Sequence, residues 1–423
     1  MFSLILYGRK SLELQKWRHF IFSVSLFKKA SNSFSSASAN VSSRDVRKGN
    51  NFTVSYLVES LALTPKLAES ILRKVGCEDK GNLDSVLSLF RSHGFTDPQL
   101  SSIVTDYPQV LIADAERSLA PKFQFLKSRG ASTSELTEIL SKVPRILRIK
   151  KDKAFSIYYD FVKEVIEADK SFIKLPQFSL QEGSRQENKL RNILVLRDLG
   201  VPQKFLFYLL LSNFQNVCGK ERFEETLKKV LEIGFDPTTF KFVQALYLLY
   251  QMSDKTRQEK LSFYKRLLGF AVDEVWAMFK KNPSFLMLSE KNVLSSIEAF
   301  LGQGFSRDEL KKMVKCHPQC LNYNAEMLKK KIEVLVKDMN WKVKAVVSNP
   351  SVLDYSLEKR TIPRCNVIKA LMSEGLLGTE LPSIGSVLVC TNEMFLNKYV
   401  MKHDGDKKLV AKLMAIFTGG HVS

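Results

Sequence analysis

Cys316-His317-Pro318-Gln319-Cys320 is the one cluster in this chain whose residue types suggest metal chemistry. Two thiolates and an imidazole could begin a zinc site, but such sites need a second pair of ligands at a recognisable separation, and no second pair exists. The five histidines, at 19, 93, 317, 403 and 421, show no paired spacing. At the places equivalent to His317 and Cys320 in the repeats described below stand Tyr107, Val143, Val110 and Phe285, so a turn filler and a small buried apolar residue are expected. Gly302-Gln303-Gly304 lacks the preceding strand of a dinucleotide loop, and Gly219-Lys220 lacks the upstream glycine of a phosphate-cradling loop. Six cysteines without regular spacing fit a reducing compartment. The expectation is a protein without cofactor, metal or catalytic residues: not an enzyme.

The cations are the other chemistry on offer. Lys plus Arg number 64 against 44 Asp plus Glu, a net charge of +20, which favours association with a polyanion. Lys142, Lys280, Lys281 and Lys315 recur eleven or twelve places after a glycine; Arg145 and Arg148 follow a proline turn. Lys311, Lys312 and Lys315 share a helix face, and Lys330 lies within the Lys329–Lys331 run that begins the next helix. Stacked repeats would align these positions as a stripe able to follow a phosphate backbone. Cations at a helix C-terminus also stabilise the helix by about 0.3–1 kcal/mol, which accounts for any single lysine without a ligand.

The elements that must carry these cations are written in a repeat. Gly94 leads to Pro108 and Leu111, Gly130 to Pro144 and Leu147, Gly269 to Pro283 and Leu286, Gly304 to Pro318 and Leu321. Apolar residues stand six, nine and ten places after each glycine, as in Leu310, Met313 and Val314, the spacing of one helix face. Ser132 with Glu135 and Ser306 with Glu309 read as capping boxes. Asp236-Pro237 and Thr64-Pro65 read as caps before a first-turn proline. Helix, proline turn, helix and glycine make one unit of about 35 residues, too small to bury its apolar face alone. The expected fold is all-α: right-angle-stacked helix pairs forming a curved α-solenoid. Gly200 and Gly234 keep the frame with Phe214 and Leu248 in place of proline, a degraded unit surrounds Pro176, and the unit holding Pro350 is offset, restarting near Trp341.

Residues 1–40 are basic, serine-rich and almost free of acids, the composition of an organellar transit peptide. The repeat domain is expected over 50–400 and a cap or tail over 401–423. No apolar run is long enough to span a bilayer, so no membrane is expected as a partner.

The G-[F/A]-x-x-x-x-L…P-x-x-L units resemble those of the mitochondrial transcription termination factor family, mTERF. The block from Pro350 to Arg364 resembles the late block of its plant members. The resemblance implies a half-doughnut of helices whose basic side holds double-stranded DNA or structured organellar RNA. It implies a monomer in mitochondria, alternatively chloroplasts, acting in transcription termination or its regulation, alternatively in intron splicing, with other organellar gene-expression proteins as further partners. It also brings Arg360 and Arg364 into the candidate contact set; Arg360 could equally pair with Asp354 or Glu358. Tyr107, Phe214 and Tyr323 near the turns are candidates for stacking on an unpaired base. A protein-binding scaffold is the rival reading, with a groove of mixed charge and binding that responds weakly to salt.

Overall fold

The computed structural model describes residues 45–76, 80–150, 152–171, 185–211, 217–378 and 380–419. The expected transit peptide, Pro176 and Phe214 lie outside them. All regular structure among the described residues is helical, in two compact units divided between Lys220 and Glu221.

In the first unit, Asp45–Leu61, Pro65–Val75 and Lys80–Ser92 lead into two framed repeats. These are Asp97–Asp106 with Ala120–Ser128, and Thr133–Lys142 with Asp152–Ser171; Arg185–Asp198 and Gln203–Leu211 follow. The second unit runs Glu221–Glu232, Phe240–Gln251, Asp254–Leu268, Val272–Lys281, Glu290–Gly302, Arg307–Cys316 and Ala325–Glu333. It continues through Val343–Ser348 and Ile362–Ser373 to Asn392–Tyr399 and Lys407–Thr418.

The frame glycines work as helix stops. Gly94, Gly130, Gly200, Gly234, Gly269, Gly304 and Gly375 all hold φ between 62° and 87°, where a Cβ is disfavoured. At most of them the next residue's N–H bonds back across the turn, as Phe305 does to the Phe300 carbonyl at 3.2 Å, the closing bond of a Schellman motif. Where the frame is offset, Asn340 takes the left-handed conformation instead, at φ 58°. Its short polar side chain tolerates that region better than most.

Proline does more than end the first helix. Each of Pro108, Pro144, Pro283, Pro318 and Pro350 opens a five-residue 3-10 helix after a residue held outside the helical region, such as His317 at φ −141° and ψ 70°. Leu248 shows the converse: without proline, the helix runs unbroken through its place to Gln251. The apolar triplets of the four framed repeats are at most 2% exposed, from Leu100 to Val314. Burying such side chains contributes about 1.5–3 kcal/mol each before entropy.

Caps differ in detail from expectation. Ser306 and Glu309 form the complete reciprocal box. Ser132 caps its helix, but the Glu135 carboxylate turns away to accept from Tyr159 Oη at 2.9 Å and Lys163 Nζ at 2.8 Å. Asp236 is not the cap: it accepts from the Thr238 N–H in a turn, and Thr239 caps the helix that begins at Phe240. Thr64 and Pro65 do start their helix, with no bond from the threonine side chain.

Candidate nucleic-acid interface

In the second unit the first helices of successive repeats pack on one another, Val272–Lys281 on Arg307–Cys316 and that on Val343–Ser348. The second helices Glu290–Gly302 and Ala325–Glu333 form their own contact. Cations carried by the first-helix layer therefore share a setting, and five of the sequence candidates do so.

Lys311 reaches back one repeat: its Nζ donates to the Gly269 carbonyl at 2.9 Å and lies 5.6 Å from the centre of the Phe270 ring. Lys315 pairs with Glu274, and Lys281 donates to the Lys315 carbonyl. Lys280 and Lys312 are exposed and have no carboxylate partner among the described residues. Lys280 Nζ lies so close to Gly234 that a Cβ there would be 2.9 Å away. Two carboxylates in this field, Glu274 and Glu309, are held below their usual range. For Glu274 the hydrogen bond from Lys315 is the main cause; for Glu309 it is the Ser306 N–H, with Lys312 and Lys344 adding charge. Across the first-helix layer, residues 272–281, 307–316 and 343–348, seven Lys or Arg stand against four Asp or Glu, so the local charge stays positive after every pairing. An exposed ion pair contributes about 0–1 kcal/mol, which leaves Lys315 able to exchange Glu274 for a phosphate.

Lys344 belongs with this group although the glycine frame misses it. It stands six residues before Pro350, as Lys312 stands six before Pro318, and it is exposed. Counting back from the proline would have found it.

The remaining candidates sit elsewhere. In the first unit, Lys142 is exposed and paired with Glu138 at 2.8 Å; hydrogen bonds from Lys142 and then Lys170 hold that carboxyl below its usual range. Arg145 donates to the Asp106 carbonyl at 3.1 Å and lies over the Tyr208 ring, while Arg148 donates to the Leu211 carbonyl at 2.8 Å. These two arginines tie the 3-10 helix Pro144–Arg148 to Gln203–Leu211. Lys330 is exposed but lies on the second-helix layer, apart from Lys311, Lys312 and Lys315.

Arg364 requires correction as a contact, and Arg360 has other partners than the two acids weighed for it. Arg364 is 0% exposed, and a buried guanidinium cannot reach a phosphate. It donates to the carbonyls of Val387 at 2.8 Å and Cys390 at 2.9 Å and to Asn392 Oδ1 at 2.7 Å, and lies over the Phe395 ring. Arg360 donates to the carbonyls of Leu388 at 3.0 Å and Cys390 at 2.6 Å, rather than to Asp354 or Glu358. Together they cap the C-terminal carbonyls of the Gly385–Val389 helix, which have no intrahelical partner.

That capping is one instance of a device repeated along the chain. A side chain on several second helices donates to a carbonyl closing the next repeat's turn: Asn82 to Leu111 at 2.7 Å, Lys122 to Leu147, Lys260 to Leu288, Ser296 to Leu321 at 3.2 Å, Lys331 to Leu353 at 2.6 Å. Burial pushes the ammonium pKa of Lys122, Lys260 and Lys331 down. Lysine, asparagine and serine all serve as donors, so no single residue type marks the position in the sequence.

The metal-like cluster resolves as a packing feature. His317 is buried with Nε2 2.9 Å from Asp354 Oδ1 of the next repeat, and Cys320 is fully buried, which pushes its thiol pKa up. No group of three potential metal ligands occurs among the described residues, and no described helix is long and apolar enough to cross a membrane. Tyr323 is half-buried, with the Lys331 ammonium 5.3 Å from its ring centre and its hydroxyl buried.

Paired helices with a 3-10 turn, stacked in tandem and bearing cations on one layer, define an all-α helical-repeat protein. Residues 87–300 and 280–396 match the mTERF family, and the chain belongs to it. It is 24% identical over 361 residues to the chloroplastic transcription termination factor MTERF8 of Arabidopsis thaliana, covering 81% of this chain and 68% of that protein. It is 22% identical over 341 residues to the mitochondrial MTERF15 of the same plant, covering 77% and 73%. To the mitochondrial transcription termination factor 1 of Homo sapiens it is 24% identical over 249 residues, covering 55% and 62%.

Proposed function

We propose that this protein is a non-enzymatic organellar nucleic-acid-binding factor that regulates organelle gene expression, with double-stranded DNA as its first target and transcription termination as its role. The observation that carries the reading is the first-helix layer of the second unit, where Lys280, Lys281, Lys311, Lys312, Lys315 and Lys344 gather with too few acids to neutralise them. Relatives named as mitochondrial and chloroplastic transcription termination factors support the organelle and the process. Lysines act on phosphates as point charges, and release of condensed counterions supplies the affinity. Positioning by phosphate contacts carries no sequence information, so a preferred site would be chosen through the shape of the duplex or the few side chains that reach base edges.

The test is a titration of the whole chain against duplex DNA and against a folded organellar intron RNA at two salt concentrations. Affinity for the duplex that falls steeply with salt supports the reading. Preference for the RNA moves the role to splicing, and binding to neither overturns it.

A further inference from the structure

Three of the large apolar side chains that remain exposed fall within thirteen residues near the C-terminal end: Val389 at 42%, Met394 at 61% and Met401 at 46%. Met394 is the most exposed of its kind among the described residues. Along Asn392–Tyr399 and the short 3-10 turn Met401–His403 that follows, the register 394, 398, 401, 402 draws Met394, Lys398, Met401 and Lys402 into one strip. The adjoining side of the helix is seated in the core: Phe395 is 0% and Tyr399 2% exposed, and Phe395 stacks on Phe417 at 5.6 Å. The strip is thus held on a rigid base, and its apolar residues are not a side effect of fraying.

Its rim is basic. Lys398 and Lys402 have no carboxylate partner among the described residues, and Lys407 and Lys408 stand exposed just beyond. Glu393, Asp404 and Asp406 stand against four lysines between 393 and 408, and Lys412 beyond them is paired with Glu374 at 2.9 Å.

We propose that this strip docks an acidic amphipathic helix of a partner protein. Methionines and lysines alternating at helical spacing match leucines and glutamates alternating at the same spacing on a facing helix. Methionine suits such a role because its flexible thioether adapts to the shape laid against it. A nucleic acid would use the lysines but gain nothing from Met394 and Met401, so a protein fits the whole strip and a phosphate backbone only its rim. The surface lies on different elements from the Lys280–Lys344 group, so the two can be tested separately.

The probe is a fluorescein-labelled synthetic helix of about 18 residues, leucines on one face and glutamates beside them, with a scrambled peptide of identical composition as control. Anisotropy with the full chain is expected to show the amphipathic peptide binding at least about tenfold more tightly than the scrambled one. The M394E/M401E and K398E/K402E variants are each expected to weaken it about tenfold while duplex DNA affinity stays at the parent value. Thermal unfolding by circular dichroism checks the variants, and M394Q/M401Q replaces the first if it unfolds early. Equal binding of the two peptides, or unchanged binding by folded variants, overturns the proposal. So does a K398E/K402E variant that loses duplex DNA affinity and keeps the peptide, which would make the strip part of a nucleic-acid surface.

Discussion

Replacing Arg364 by methionine keeps a long side chain in place and removes a guanidinium that donates to two backbone carbonyls and one side-chain amide. Arg360 still serves the Cys390 carbonyl, and Asn392 is exposed and can turn to water. The Val387 carbonyl is left buried with only the Cys390 thiol 3.8 Å away, whose single hydrogen has the Ser386 carbonyl nearer at 3.1 Å, and the cation over Phe395 is lost. An orphaned buried acceptor costs about 1–3 kcal/mol, and a buried cation–π contact contributes about 2 kcal/mol. The expected loss is about 3–5 kcal/mol, against about 1–2 kcal/mol for Arg360→Met, whose acceptors lie nearer to solvent. Trp276 and Trp341 both lie in the second unit, and Trp341 Nε1 donates to the Pro382 carbonyl, so tryptophan fluorescence follows the unfolding concerned. At about 2–3 kcal/mol per molar urea, the Arg364→Met midpoint should fall by about 1–2.5 M with unchanged slope. Below that midpoint the variant should bind duplex DNA as the parent does. Parent-like unfolding combined with lost binding would refute the capping role and return Arg364 to the interface.

Two further outcomes follow from the same geometry. Asn340→Gly should leave stability unchanged or slightly raised, whereas Asn340→Val should cost at least about 1–2 kcal/mol because a branched Cβ cannot accept φ 58°; equal urea midpoints would contradict this. Burial pushes the Lys189 ammonium down to about 8. Between pH about 8 and 10 the unfolded chain then holds a proton that the folded chain has lost, so stability rises with pH across that window and sits at its lower level below it. Lys189→Met should raise stability at pH 7 by up to about 3 kcal/mol and flatten the rise, as measured by urea unfolding followed by circular dichroism; parallel pH profiles would contradict it.

How far the chain could be read depended on whether a constraint is local. Glycine at a helix stop and proline at the start of a 3-10 helix act within a few residues, so the repeat, its period and its buried triplets were legible. Asn340 escaped because an asparagine did the glycine's work, and the shorter spacing from Asn340 to Pro350 hid Lys344 from a count that began at glycine. Arg360 and Arg364 looked like contacts because their targets are backbone carbonyls 23 to 30 residues away, which no residue type announces. Lys330 was grouped with Lys311 and Lys312 by charge alone, and only packing separates the two helix layers. Phase along one helix can be read from sequence; the atom a long side chain finally meets cannot.

The most direct test of the nucleic-acid reading is the salt dependence of duplex DNA binding by the parent and by a Lys280→Gln, Lys312→Gln, Lys344→Gln triple variant. These three side chains are exposed and pair with no carboxylate among the described residues, so their removal should leave the fold alone. Each phosphate contact contributes about 0.9 to the slope of log Kobs against log salt, and the account predicts a slope shallower by about 2 to 3 in the variant. A folded triple variant with the parent's slope and affinity would contradict it.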